Sequence, residues 1–455
     1  MNSLEKKYYY NSFCVILFFS ICWTIESFLC VRVADDAANT NITIPSYLSR
    51  IIWTLKLGGW SSRFLIDPIG LFLLVKVPYV VWKIVNSILM SMQLLFLNRI
   101  FNKEKENFYL YIIGCCTFLF PYSQENSAGW CFTTVTYYWP IIASIISFYY
   151  VKKILNNDKL SLFQNIIFFI SILYASDDEL GSIFLLTSVI FIFIGSYIEN
   201  KKLNRKIFVV VVVCLFRFIL HIFWQMFATR KFTEISVHYP DFFQLSFVDK
   251  LQNGFSTCCH LIFIDFPQLT LLLSIVLVIN ISISKKDNKS KIISLLAPLF
   301  LLSYMFSNYF NIFFAFEFFK KIDVGYSQLY GLVNFLNFSK FKPYIELFLF
   351  FIILGSLAFS IFSISRHISI SLTHFGIFLG GFLSRCAMGF SPTICASGLR
   401  TFSLVQGSLM ICLIAELFSL KKISKLYFLI CSYACISFGI ISILKIFLET
   451  YSIGR

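Results

Sequence analysis

The chain has 455 residues, of which 58% are hydrophobic and only 13% charged, with a formal net charge of +15. A water-soluble domain of that size cannot hide so much apolar surface, which excludes a soluble enzyme and makes the lipid bilayer the solvent for most of the chain. In a soluble protein the positive charge would point to nucleic acid; here it is read as Lys and Arg retained in cytoplasmic loops, and no nucleic-acid partner is expected.

A helix needs about 20 apolar residues to cross the hydrocarbon. Runs that fit lie at 13–33, 79–98, 108–122, 130–151, 162–174, 180–198, 207–227, 259–284, 292–316, 343–364, 367–385, 401–419 and 425–447. The first is too long for a signal-peptide core and lacks a small-residue cleavage site, so it is expected to stay as the first helix. The fold class expected is therefore an all-α polytopic membrane protein with about 13 transmembrane helices, 11–13 being allowed by the pattern. Residues 64–75 contain a proline and are followed by Lys76-Val77-Pro78, which suits an interfacial helix in the first outer loop, 34–78. The organisation expected is an N-terminal module, 1–227, carrying that loop, and a variable C-terminal module, 228–455, with no separate soluble domain.

Alternate loops carry short basic clusters, among them Lys6-Lys7, Lys152-Lys153, Lys201-Lys202 and Lys421-Lys422. The positive-inside rule places these, and the N-terminus, in the cytoplasm. The other set of loops is longer and holds most of the acids, including Asp35, Asp36, Glu125, Asp177, Asp178 and Glu179. Carboxylates from distant segments are thus expected to converge on one extracytoplasmic face. The 14 Cys lie mostly inside apolar runs and read as small buried hydrophobes, with a Cys386–Cys395 pair open as an option.

Five stretches carry possible chemistry. In "ADDAANTN", Asp35 and Asp36 are a paired carboxylate at the membrane plane, able to act as a base or bind a cation, and equally able to cap a helix. "YASDDELGS" holds Asp177, Asp178 and Glu179 beside hydrocarbon, where acids are costly unless paired or used; capping needs one acid rather than three. In "GGWSSRFLIDP", Trp60 precedes Arg63, whose guanidinium matches a lipid phosphate or simply anchors the interface. "PYSQENSAGWCFTTVTYYWP" places Glu125 near Trp130, Tyr137, Tyr138 and Trp139, rings that suit an aromatic belt or a sugar cleft. "SRCAMGFSPTICASGLRTF" brackets an outer loop with Arg385 and Arg400, either anion-binding or snorkelling at helix ends. The histidines add no ligand spacing, and GxGxxG, GxxxxGK[ST], HExxH and GxSxG are all missing.

The order of these pieces resembles integral membrane glycosyltransferases of the GT-C fold, and more narrowly the bacterial O-antigen glucosyltransferases of serotype conversion. The resemblance rests on Asp35-Asp36, "WSSRFLIDPIGLFL", "VVWKIVNSILMSMQLL", "GWCFTTVTYYWPIIASI", "ASDDELGS" and "SGLRTFSLVQGSLMICLIAE". It covers roughly the first 200 residues and a late patch, and departs from the family pattern at Ser62 and in the Asp-Asp-Glu run. It implies transfer of a sugar, glucose by the family pattern, from a polyprenyl-phosphate-linked donor to a lipid-linked or surface glycan, with inversion. By the resemblance, Asp35 or Asp36 is the base, and Asp177, Asp178, Glu179 and Glu125 orient the acceptor or a divalent cation. Arg63, Arg400 and Arg385 hold the donor phosphate, and Trp60, Trp130, Tyr137, Tyr138 and Trp139 contact sugar. Membrane lipids are the other partners expected. The alternatives are an O-antigen polymerase, which fits "RCAMG" loosely but should have larger outer loops, and a lipid-linked sugar flippase. The flippase ranks third because mid-span charges are few: Arg217, Glu416 and Lys445.

Overall fold

In a bilayer every backbone N–H and C=O must be satisfied within its own segment, so long apolar runs fold as helices. The computed structural model describes residues 3–28, 36, 47–56, 61–102, 106–122, 130–227, 229–284, 286–309, 326–334, 337–365 and 367–453. Among these the secondary structure is helical. In chain order the helices are α1 (Ser3–Phe28), α2 (Tyr47–Leu55), α3 (Ile66–Val75), α4 (Tyr79–Phe101), α5 (Asn107–Thr117) and α6 (Cys131–Leu155). Then follow α7 (Leu162–Ala175), α8 (Glu179–Asn200), α9 (Arg205–Phe227), α10 (Thr229–His238) and α11 (Phe247–His260). The series closes with α12 (Pro267–Ile283), α13 (Asn288–Tyr309), α14 (Lys342–Ile364), α15 (Ile368–Cys386), α16 (Ser403–Ile423) and α17 (Lys425–Ile453).

Nine helices among the described residues are long and apolar enough to cross a membrane: α4, α6, α8, α9, α13, α14, α15, α16 and α17. A tenth crossing is available to α11 and α12, which are bent by 81° at Phe266, just before Pro267. Proline fits the first turn of α12 but cannot extend α11, so the expected span 259–284 is broken near its start. The remaining expected spans correspond to α1, α5 and α7, whose apolar parts, Ser12–Ser27, Asn107–Thr117 and Leu162–Ala175, are shorter than the length a crossing helix needs. Helix α3 has ten residues, too few to span, as expected for an interfacial element.

The bundle is built around two helices. The hydrophobic windows of α16, with the 3₁₀ turn before it, and of α6 are 94% and 89% buried, against 28% in α9 and α17. Lipid therefore meets the latter pair, and protein encloses the former. One network of polar groups inside the bundle links α1, α4 and α6. Asn86 of α4 donates from Nδ2 to Glu26 of α1 (2.7 Å) and accepts from Trp139 Nε1 of α6 (2.8 Å), while Tyr138 donates to Gln93 (2.9 Å). Helix α15 fits between α8 and α16 because small residues line it. A Cβ on Gly380 would lie 2.7 Å from the Phe184 carbonyl oxygen, and one on Gly381 2.1 Å from Ser408 Oγ. This contact joins the two halves expected at 1–227 and 228–455 through packed helices.

Gly380→Ala should lower the thermal midpoint of the detergent-purified protein by an amount equivalent to about 1–3 kcal/mol, the usual cost of overpacking. Gly355→Ala, in exposed helix α14 with nothing within 4 Å of the new Cβ, should leave it unchanged or slightly raised. Equal effects at both positions would show that α15 does not approach α8 this closely.

Candidate functional site

The three acids of "YASDDELGS" have three separate partners. Asp177 accepts N–H groups from Phe64 (3.1 Å), Leu65 (2.7 Å) and Ile66 (2.8 Å), at the start of α3. It also pairs with Arg217 of α9. A helix start leaves backbone N–H groups without partners, and Asp177 supplies the missing acceptor from 111–113 residues away. Asp178 caps its own helix, α8, accepting from Leu180 (3.2 Å) and Gly181 (3.1 Å). Glu179 turns to Arg63, whose Nη2 lies 3.3 Å from Oε2. The expectation that capping needs one acid is thus corrected: two of the three cap, each a different helix.

A cavity of about 440 Å³ opens beside this cluster, lined by Arg63, Tyr137, Glu179, His221, Trp224 and Arg230 together with the 387–397 loop. It draws on both halves of the chain. The Glu179 side chain is 26% exposed and that of Asp178 only 1%, so Glu179 is the carboxylate of this run available to a ligand. Tyr137 belongs to a single π-helical turn, Thr134–Tyr138, near the start of α6. This wider turn separates adjacent rings: Tyr138 enters the core while Tyr137 faces the cavity. Two guanidinium groups approach the Tyr137 ring, Arg63 at 5.9 Å and Arg400 at 5.8 Å from its centroid. Behind Arg63, Ser62 Oγ lies 2.7 Å from His221 Nδ1, and His221 Nε2 lies 2.9 Å from the Ser176 carbonyl oxygen. A carbonyl only accepts, so Nε2 carries the proton, and at Nδ1 a neutral ring accepts a hydrogen bond from the Ser62 hydroxyl. At the outer edge Arg230 Nε meets Glu234 at 2.7 Å.

Burial pushes the Asp178 carboxyl up to about 7, with Arg63 pulling the other way. Burial also works against the Arg63 charge, but Glu179 first, then Tyr137 and Asp178, hold that guanidinium above its ordinary range. The cavity therefore contains a firmly charged arginine and a neighbouring acid that titrates near neutrality.

Several expected site residues sit elsewhere. Asp36 is buried and accepts N–H groups from Cys131 (2.8 Å) and Phe132 (2.9 Å), capping α6 from another loop. The N-cap residue there, Trp130, gives no side-chain cap of its own. Asp36 does not line the cavity. Tyr138 and Trp139 are core residues. Arg385 is buried, its guanidinium 4.0 Å over the Phe402 ring, and does not line the cavity. Asp35, Trp60 and Glu125 lie outside the described residues. Cys386 and Cys395 are both free thiols. Among the described residues no group of three or more His, Cys, Asp or Glu side chains is arranged to hold a metal ion.

His221, Trp224, Arg230, Lys231 and Glu234 line the cavity without having been expected there. A signal existed for the first two. Arg217, His221 and Trp224 recur at helical spacing along an otherwise apolar α9, which marks one face turned away from lipid. Of the mid-span charges, Arg217 pairs with Asp177, Glu416 with His374 and Lys445 with Glu449, so each is answered within the bundle.

A scan against protein-family models finds no match, and searches of curated proteins and of solved structures find none either.

Asp177→Ala should destabilise the fold strongly, because it strips the acceptor from the start of α3 and leaves Arg217 buried without its partner. Breaking a buried pair costs about 3–5 kcal/mol, so thermal unfolding in detergent should show either a large drop in midpoint or loss of folded protein. A midpoint within a degree or two of the parent would show that the Asp177 contacts carry no weight.

Proposed function

We propose that the chain is a membrane glycosyltransferase that moves a sugar, glucose by family resemblance, from a polyprenyl-phosphate donor to a surface glycan on the extracytoplasmic side. The observation that carries this reading is the convergence of Arg63, Glu179 and the Tyr137 and Trp224 rings on one cavity at the end of an apolar bundle. A lipid-linked sugar phosphate asks for these features together: a cation for the phosphate, ring faces for the sugar, an acid for the acceptor and lipid beside the site.

In this reading the donor phosphate binds Arg63, with Arg230 and Lys231 completing the positive field. A phosphate at Arg63 competes with Glu179 for the guanidinium, which releases a carboxylate oxygen. Glu179 then takes the acceptor hydroxyl proton as the acceptor oxygen bonds to the anomeric carbon. The bond from that carbon to the phosphate oxygen breaks in the same step, inverting the centre, and Arg63 holds the charge left on the polyprenyl phosphate. Glu179 replaces Asp36 as the base because Asp36 already accepts two backbone N–H groups. Tyr137 and Trp224 flank the sugar, and Ser62 with His221 fixes the backbone that presents Arg63.

In cells supplying polyprenyl-phosphoglucose, the parent chain should add side-branch glucose to the surface glycan, and Arg63→Ala and Glu179→Gln should each abolish it while still reaching the membrane. Retained glucosylation in both variants would refute the assignment, and an altered chain-length ladder would point to polymerisation instead.

The pH dependence has a defined sign. Below the Asp178 value of about 7 that acid is neutral, and Arg63 has one fewer counter-charge competing with phosphate. Donor KM should therefore rise from about pH 6 to about pH 8 as Asp178 ionises. Asp178→Asn, which keeps a good N-cap residue, should flatten the trend; an unchanged slope in the variant would exclude Asp178 as its source.

A further inference from the structure

The other end of the bundle holds a second and larger cavity, of about 540 Å³, which the reading above does not use. It lies where α4, α6, α8 and α16 end and α15 begins, with an inner wall of apolar side chains such as Ile145, Phe148 and Ile411. Three lysines reach it: Lys152, Lys421 and Lys422. Among the described residues the one carboxylate lining it, Glu199, is already engaged by His367 Nδ1 (2.9 Å) and by the Ser369 hydroxyl. Lysines in last turns of helices also balance the helix dipoles, so they do not by themselves define a ligand. What sets this cavity apart is His374. Its Nδ1 lies 2.7 Å from Oε1 of Glu416, which is fully buried, and the ring itself lines the cavity. A buried carboxylate behind an imidazole fixes its orientation and leaves Nε2 for a ligand.

We propose that this cavity is a second ligand site, one that binds a phosphate monoester headgroup between Lys422, Lys421 and His374, with any attached chain against the apolar wall. Lysine ammonium groups are donors only, and the net charge of the described lining favours an anion. The apolar depth suits a lipid-borne phosphate; a free phosphate shares the headgroup chemistry.

The test is calorimetric titration of the full-length protein in detergent, in an Arg63→Ala background so that the first cavity does not contribute. The probes are farnesyl phosphate, inorganic phosphate and farnesol. Farnesyl phosphate should bind, and Lys422→Gln and His374→Gln should each weaken it about tenfold, or ~1.4 kcal/mol. Lys422 is exposed, so its variant tests the site even if His374→Gln fails to fold. Tighter binding of farnesyl phosphate than of inorganic phosphate assigns the site to a lipid headgroup, and equal binding assigns it to free phosphate. Failure of both phosphates to bind, farnesol binding as tightly as farnesyl phosphate, or indifference to Lys422→Gln overturns the proposal. The glucosylation assay does not enter this result, so each reading can fail alone.

Discussion

The arrangement depends on carboxylates that cap helices belonging to other parts of the chain. A helix start beside hydrocarbon has N–H groups that water does not reach, and each unmet donor is costly. Asp177 meets those of α3, and Asp36 those of α6. These contacts tie the first outer loop to the loops before α6 and α8. Once Asp177 has drawn the Phe64–Ile66 backbone to α8, Arg63 has no choice but to lie beside Asp178 and Glu179. The charged cluster is thus a by-product of satisfying backbone donors, and the cavity forms where those loops meet α9 and the 387–397 loop.

Much of the bundle is legible in the sequence because the bilayer demands long apolar runs: nine expected spans coincide with helices long enough to cross, and the other four overlap shorter or broken ones. What hydropathy does not report is length after capping and breakage: Pro267 cuts one run, and α1, α5 and α7 have short apolar parts. The site is legible only in its members. Arg63, Asp178, Glu179 and Tyr137 are identifiable as polar or aromatic residues near a membrane surface, but their partners are not. Asp177 meets Leu65 across 112 residues and Asp36 meets Cys131 across 95, and such pairings leave no periodic trace. That separation also explains why Asp36 reads as a base in the sequence and as a cap in the fold. His221 lies inside an apolar run and gives no signal by itself, although its spacing from Arg217 puts both on one helical face.

The two ends of the bundle differ in chemistry. One gathers acids, arginines and aromatic rings around a cavity; the other gathers lysines around a larger one backed by His374 and Glu416. Helices α6 and α8 contribute to both ends, so the bundle itself separates them. Glycosyl transfer from a lipid phosphate is the function we propose for the first set. Three lysines in the second set against one, Lys231, in the first is the bias that the positive-inside rule expects of a cytoplasmic face.

The most direct test of the central claim is the sidedness of these two ends. Single-cysteine variants at Ala396, in the loop over the first cavity, and at Lys422, at the mouth of the second, can be treated in intact cells with a membrane-impermeant maleimide. The account requires Ala396→Cys to be labelled from outside and Lys422→Cys only after permeabilisation. The reverse pattern, or identical labelling of the two, would contradict it.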